Sequence, residues 1–106
     1  MVRLFKKLAG FAWDEANREK NQIKHNVSYK ECEEAFSDGK KKLFNDPAHS
    51  AKEKRYLLFG KTVQLRYLII AFTIRNLHVR VVSARDMNRK ERKVYEEATQ
   101  NTQIQK

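Results

Sequence analysis

The sequence predicts an α+β fold, with two N-terminal helices packed on an antiparallel sheet of three to five strands and a further helix at the C-terminus. Three observations lead there. The apolar periodicity changes once along the chain, from helical to strand-like, with no Pro/Gly-rich linker, repeat or low-complexity segment between. The central strand candidate, Q-L-R-Y-L-I-I-A-F-T-I-R, is apolar on both faces, so both faces should be covered. The charged stretch N-R-K-E-R-K-V-Y-E-E-A begins with a helix-capping pattern. With 106 residues the chain has room for one domain and one modest core.

The elements follow in order. M-V-R-L-F-K-K-L-A-G at residues 1–10 reads as an N-terminal extension or a first strand. Asp14 is a plausible N-cap for a first helix ending at His25, with Trp13, Ala16, Lys20 and Ile23 on its inner side. Asn26 tolerates the left-handed conformation that a helix end requires. Ser28 and Glu31 form S-x-x-E, a capping box that starts a second helix with Cys32, Ala35 and Phe36 inward. S-D-G-K-K-K is a turn, L-F-N-D-P a short strand and stop, and H-S-A-K-E a connection. R-Y-L-L-F-G-K, the central candidate and L-H-V-R-V-V-S-A-R are strands close enough to form a meander. Leu68, Ile70 and Phe72 point to one side of the middle strand and Tyr67, Ile69 and Ala71 to the other. The N-terminal helices cover one side; a partner or the final helix, capped by Asn88 with Glu91, must cover the other. That helix places Arg89, Lys90, Arg92 and Lys93 at the positive end of its dipole, so local stability did not select its charges. Residues 98–106 read as a tail.

Charge narrows the function. The formal net charge is +10; residues 1–50 carry 10 basic and 8 acidic side chains, and residues 51–106 carry 13 and 5. Such a second half suits a polyanion or an acidic protein partner. Cys32 stands alone between Glu31 and Glu33, which excludes an internal disulfide, discourages a thiolate and fits a reducing compartment. No apolar run reaches membrane-spanning length and the N-terminus is unlike a secretory signal, so a cytoplasmic protein without membrane contact is expected. His25, His49, His78 and Cys32 show no metal-ligand spacing, and neither metal nor cofactor is expected.

Six motifs in order resemble one family. They are F-x-W-D at residues 11–14, N-x-x-K-H-x-V-S at 21–28, D-x-x-H-S-x-x-E-x-R at 46–55, T-x-R at 73–75, R-V-V-S-A-R at 80–85 and E-R-x-x-Y-E at 91–96. Together they resemble the BrnT toxins of type II toxin-antitoxin systems, whose fold is RelE-like, and the resemblance covers roughly residues 11–97. The chain departs from the family at Asn26, where Gly is usual, and at Asp86, Met87 and Asn88, where an Ala-Thr pair is usual. The resemblance implies an endoribonuclease that inhibits translation. It also implies a ribbon-helix-helix, BrnA-like antitoxin that neutralises it in a heterotetramer or larger complex and through which alone it meets operator DNA.

RNA carries its own nucleophile. A base must remove the 2′-OH proton, a cation must neutralise the phosphorane, and an acid must protonate the leaving 5′ oxygen. His25 or His49 is the expected base or acid, with Glu53 in reserve, because histidine alone titrates near neutrality without special tuning. Arg80 and Arg85 lead for charge stabilisation, since a guanidinium grips two phosphate oxygens. Lys24, Arg55, Arg75, Arg89, Arg92 and Tyr95 are the expected RNA contacts. Each has a structural alternative. Lys24 and His25 suit a helix C-terminus, His49 and Ser50 can organise a turn, Arg80 can pair with Glu53 or Glu34, and Tyr95 can be a packed residue. Trp13 is expected in the core, and His78, outside the motifs, has the weakest claim. The rival function is a non-catalytic nucleic-acid binder or an interaction module acting with its antitoxin in operon repression. The chain lacks an aromatic RNP pattern or recognition-helix motif that would favour a binder.

Overall fold

The computed structural model describes residues 10–13, 25–47 and 53–104, the last seven of these as helix backbone. Five strands form one sheet: β1 (Gly10–Phe11), β2 (Lys42–Asn45), β3 (Tyr56–Lys61), β4 (Tyr67–Arg75) and β5 (His78–Asp86), in the order β1-β5-β4-β3-β2. Two helices are described, α1 (Tyr29–Phe36) and α2 (Arg89–Ile104). Strands β3 to β5 form the expected antiparallel meander and β2 extends it, but the sheet as a whole is mixed. Strand β1 runs parallel to β5, with Gly10 opposite His78 and Phe11 opposite Val79. A two-residue strand is too short to show a periodicity, so this pairing had no signature in the sequence. The first predicted helix lies outside the described residues except for its end, His25, which is helical. Asn26 then takes φ 54°, the left-handed turn expected of it.

Helix α1 has eight residues and is too short to persist alone, so its caps and its packing must hold it. Its capping box is complete: the Glu31 N–H donates to Ser28 Oγ (3.2 Å), and Glu31 Oε1 accepts from the Ser28 N–H (3.0 Å). Cys32, Ala35 and Phe36, spaced for one helical face, are buried against Leu58, Leu68, Ile70 and Phe72. The approach is close enough to require glycine at position 60 of β3, where a Cβ would meet the Ala35 carbonyl oxygen at 2.6 Å. Phe36 meets both Phe11 and Phe72 edge-on, and Trp13 packs against the same core while its Nε1–H donates to Glu33. Burial first, and then Glu31 and Glu33, push the Cys32 thiol up to about 12.

The opposite face carries a smaller core of Phe59, Ile69 and Tyr95, with Leu57, Tyr67 and Met87 against it. Tyr95 belongs to α2, so the final helix covers this end of the second face. Asn88 caps it reciprocally with Glu91, through bonds of 2.8 and 2.9 Å. The helix continues to Ile104, past the stretch its capping and charge pattern marked out.

Candidate functional site

A bulge decides which side chains share the second face. Ala71 pairs with Ser83 but Phe72 pairs with Val81, so Val82 is an extra residue in β5. Arg80 and Arg85 are five positions apart, an odd spacing that would put them on opposite faces of a regular strand. With the extra residue both lie on the face that α2 partly covers: Arg85 opposite Ile69, and Arg80 opposite Thr73. His78, opposite Arg75, joins them. The sequence held a signal for this, since Val79 and Val81 are in phase with each other but out of phase with the buried Ala84.

Beyond the reach of α2's packed residues, this face forms a cluster at the β4–β5 turn. Arg75 grips Glu53 with two parallel bonds, Nε to Oε2 and Nη2 to Oε1, both 2.8 Å. The Arg75 hydrogen bond holds the Glu53 carboxyl below its ordinary range, with Arg80 adding its charge. Arg80 is half-buried, and among the described residues its side chain makes no hydrogen bond or ion pair. Opposite Arg80 and two residues before Arg75 on β4, Thr73 is 4 % exposed and its hydroxyl has no partner. A buried polar atom left unpaired costs roughly 1–3 kcal/mol, an expense that structures tolerate at functional sites. His78 Nδ1 lies 2.8 Å from the Asn76 carbonyl oxygen, which can only accept, so Nδ1 carries the hydrogen. In the neutral ring Nε2 therefore holds the lone pair. The turn that fixes this geometry is tight: Asn76 and Leu77 both have positive φ, 52° and 63°. Arg55, just before β3, continues the same face by alternation, and its carbonyl accepts from the Asp46 N–H at 2.9 Å.

At the other end of β5 a second arginine is fully engaged. Arg66 donates Nε to Asp86 Oδ1 (2.7 Å) and Nη2 to Asp86 Oδ2 (3.0 Å). It also reaches Glu31 Oε2 (3.1 Å) and the carbonyl oxygens of Asn26 (2.6 Å) and His25 (3.1 Å). Hydrogen bonds from Arg66 hold the Asp86 carboxyl low, and the charges of Arg66 and His25 add to this. Burial pushes the Glu31 carboxyl up, but the Ser28 N–H and Arg66 outweigh it and leave a net lowering. Nothing in the sequence pattern singled out Arg66, because a lone arginine after a turn has no periodicity to betray it.

The predicted site residues therefore divide. Arg80, Arg75, Glu53 and Arg55 come together, with Thr73 and His78 added. His25 sits beside Asp86, six residues or about 20 Å along β5 from Arg80, on the other face. Arg85 shares Arg80's face but is about 15 Å away along the strand and is held by Glu91 through bonds of 2.7 and 2.8 Å. Arg92 stacks on Tyr67, 4.0 Å from the ring centre, and bonds Glu96, while Arg89 is exposed. Tyr95 is packed, as its structural alternative had it: its hydroxyl donates to Asp38 at 2.6 Å, and burial pushes its pKa up. It therefore presents no ring face for a base. Lys24 and His49 lie outside the described residues.

The family model of the ribonuclease toxin BrnT of type II toxin-antitoxin systems matches residues 13–91. The chain belongs to the BrnT family. A solved structure similar to it is the ribonuclease toxin BrnT of Brucella abortus, 23% identical, with a TM-score of 0.58 over 76% of this chain and 97% of that one. That likeness supports the fold. No curated protein matches the chain. Membership in this family of ribonuclease toxins implies an antitoxin partner. No helix among the described residues is long and apolar enough to cross a membrane.

Proposed function

We propose that this BrnT chain is an endoribonuclease that cleaves RNA without a metal, inhibits translation, and is neutralised by a ribbon-helix-helix antitoxin. The observation that supports this reading is the cluster at the β4–β5 turn: Arg80, gripped by no carboxylate among the described residues, beside a buried, unpartnered Thr73 hydroxyl and the His78 ring. A phosphate oxygen could accept from Arg80, whose guanidinium stands in the row of the buried Thr73 hydroxyl. Arg80 then neutralises the charge that grows on the phosphorane, and Arg75, positioned by Glu53, adds field from the next row. His78 Nε2 is the group we assign to proton transfer, with His49 as its counterpart at the leaving oxygen. Glu53, ionised and spent on Arg75, serves as an orienter rather than a base.

Purified chain, free of antitoxin and in EDTA, should cut RNA to 2′,3′-cyclic phosphate ends, and an oligonucleotide with a 2′-deoxy residue at the cut should bind but survive. His78→Ala and His49→Ala should each lose rate while staying folded, whereas His25→Ala should keep the parental rate. Intact RNA after prolonged incubation, with or without ribosomes, would remove the enzyme reading. A second reading then gains: Arg75 and Arg85 are already neutralised by Glu53 and Glu91, as suits an interaction module that serves its antitoxin in repression.

A further inference from the structure

Phe44 breaks the burial pattern of its sheet face. It stands 38% exposed on the edge strand β2, opposite Leu57, and so on the face that bears Arg80. Its neighbour Leu43 faces the other way and packs on the main core. The Phe44 ring meets Phe59 edge-to-face, with centroids 5.0 Å apart and planes at 66°. That contact holds the ring upright on a rigid strand. Lys42, two residues earlier, shares the face and pairs with Phe59, and Lys61 follows one strand over, its Nζ 6.0 Å from the Tyr67 ring.

Sheet geometry gives the distances to the phosphate cluster. Phe44, Leu57, Ala71 and Ser83 form one cross-strand row, one pleat repeat or about 7 Å from the row of Thr73 and Arg80. Across the sheet, Phe44 is three strands, about 14 Å, from the strand of Arg80. A single RNA strand lying over this face would meet cations at both ends and an exposed aromatic ring at one.

We propose that Phe44 is a stacking platform for an unpaired base of the RNA strand whose reacting phosphate lies at Arg80, with Lys42 neutralising a phosphate beside it. The proposal rests on the RNA reading above but not on cleavage. An exposed phenyl ring with Lys42 one pleat repeat along the strand fits a polymer that alternates negative charge with flat apolar groups. Phe44 brings no hydrogen-bonding group, so it would hold any base by its π face and give affinity rather than sequence choice.

The test uses single-stranded 2′-O-methyl RNA, which lacks the nucleophile and is bound without being cut. Phe44→Ala, and Phe44→Leu, which keeps apolar packing on Phe59, should each weaken binding about tenfold or more. The slope of log affinity against log salt should stay at the parental value, because no phosphate contact is lost. Phe44→Trp should restore binding. An oligonucleotide with abasic positions should bind parent and variants alike. Equal affinity of parent and Phe44→Ala for the base-bearing strand overturns the proposal, as does equal loss on the abasic strand or a parent that binds neither. If Phe44→Ala instead spares RNA binding and weakens only neutralisation by the antitoxin, the ring belongs to a protein interface. Cleavage of ordinary RNA is read separately, so a parent that stacks but does not cut leaves this inference standing while the nuclease reading falls.

Discussion

Two arginine clusters sit at opposite ends of β5 and differ in how fully they are satisfied. Arg66 bonds two carboxylates and two backbone carbonyls, joining the turn at Asn26, the start of α1 and the end of β5. Arg80 is half-buried beside Thr73, and no carboxylate among the described residues grips it. The first arrangement holds local structure together, since every donor is matched by an acceptor fixed in the fold. The second leaves a cation for an acceptor from outside. Arginine count alone would have ranked them equal; the difference lies in the carboxylates around them.

The largest effect expected from this contrast is catalytic. Arg80→Ala should lower the single-turnover cleavage rate by about 100-fold to 1,000-fold, the range for losing one donor to a developing oxyanion. Its melting temperature should stay close to the parent's, because no described partner is orphaned. Loss of stability without loss of rate, measured by thermal unfolding beside cleavage, would make Arg80 structural and erase the contrast.

Arg66→Ala should do the reverse. Removing it leaves Asp86, Glu31 and two carbonyls without their donor, a loss of about 2–3 kcal/mol in denaturant unfolding, with cleavage at saturating RNA unchanged. The same cluster should respond to acid. The folded-state pKa values of Glu31 and Asp86 lie below their ordinary values of 4.5 and 3.8. Their contribution is therefore present above the ordinary carboxylate range and is lost as pH falls through the lowered values. Asp86→Asn should flatten that acid limb by no more than about 1 kcal/mol, since its carboxylate is largely exposed and screened. An unchanged acid limb would show that the cluster is not electrostatically held.

Much of this contrast was legible in the residues, and the part that was not has a physical cause. The S-x-x-E at Ser28, the left-handed Asn26, the Asn88 cap and the two-faced β4 are local patterns, and each forms where its chemistry points. Arg80, Arg75 and Glu53 stood out by residue type and by motif. Their meeting with His78 did not, because it depends on the turn register that sets His78 opposite Arg75 and Arg80 opposite Thr73. Register is a property of a strand pair, and a single strand read alone cannot reveal it. The same holds for Arg66, whose four partners come from two distant stretches of chain, residues 25–31 and Asp86.

The smallest predicted effect concerns the turn that sets the open end. Leu77 has φ 63° and is 45% exposed, so it pays the steric cost of a left-handed backbone without recovering much by burial. For a residue with a Cβ that cost is roughly 1–2 kcal/mol, and glycine would remove it while losing about 0.5–1 kcal/mol in chain entropy. Leu77→Gly should therefore stabilise the fold by about 0.5 kcal/mol, a rise in melting temperature of a few degrees at most. The turn keeps its two positive φ angles in either case, so His78 stays opposite Arg75 and the cleavage rate should not change. A stabilised variant that cuts RNA more slowly would mean that Leu77 itself meets the substrate. A destabilised one would mean that its partly covered side chain contributes more than the backbone strain costs.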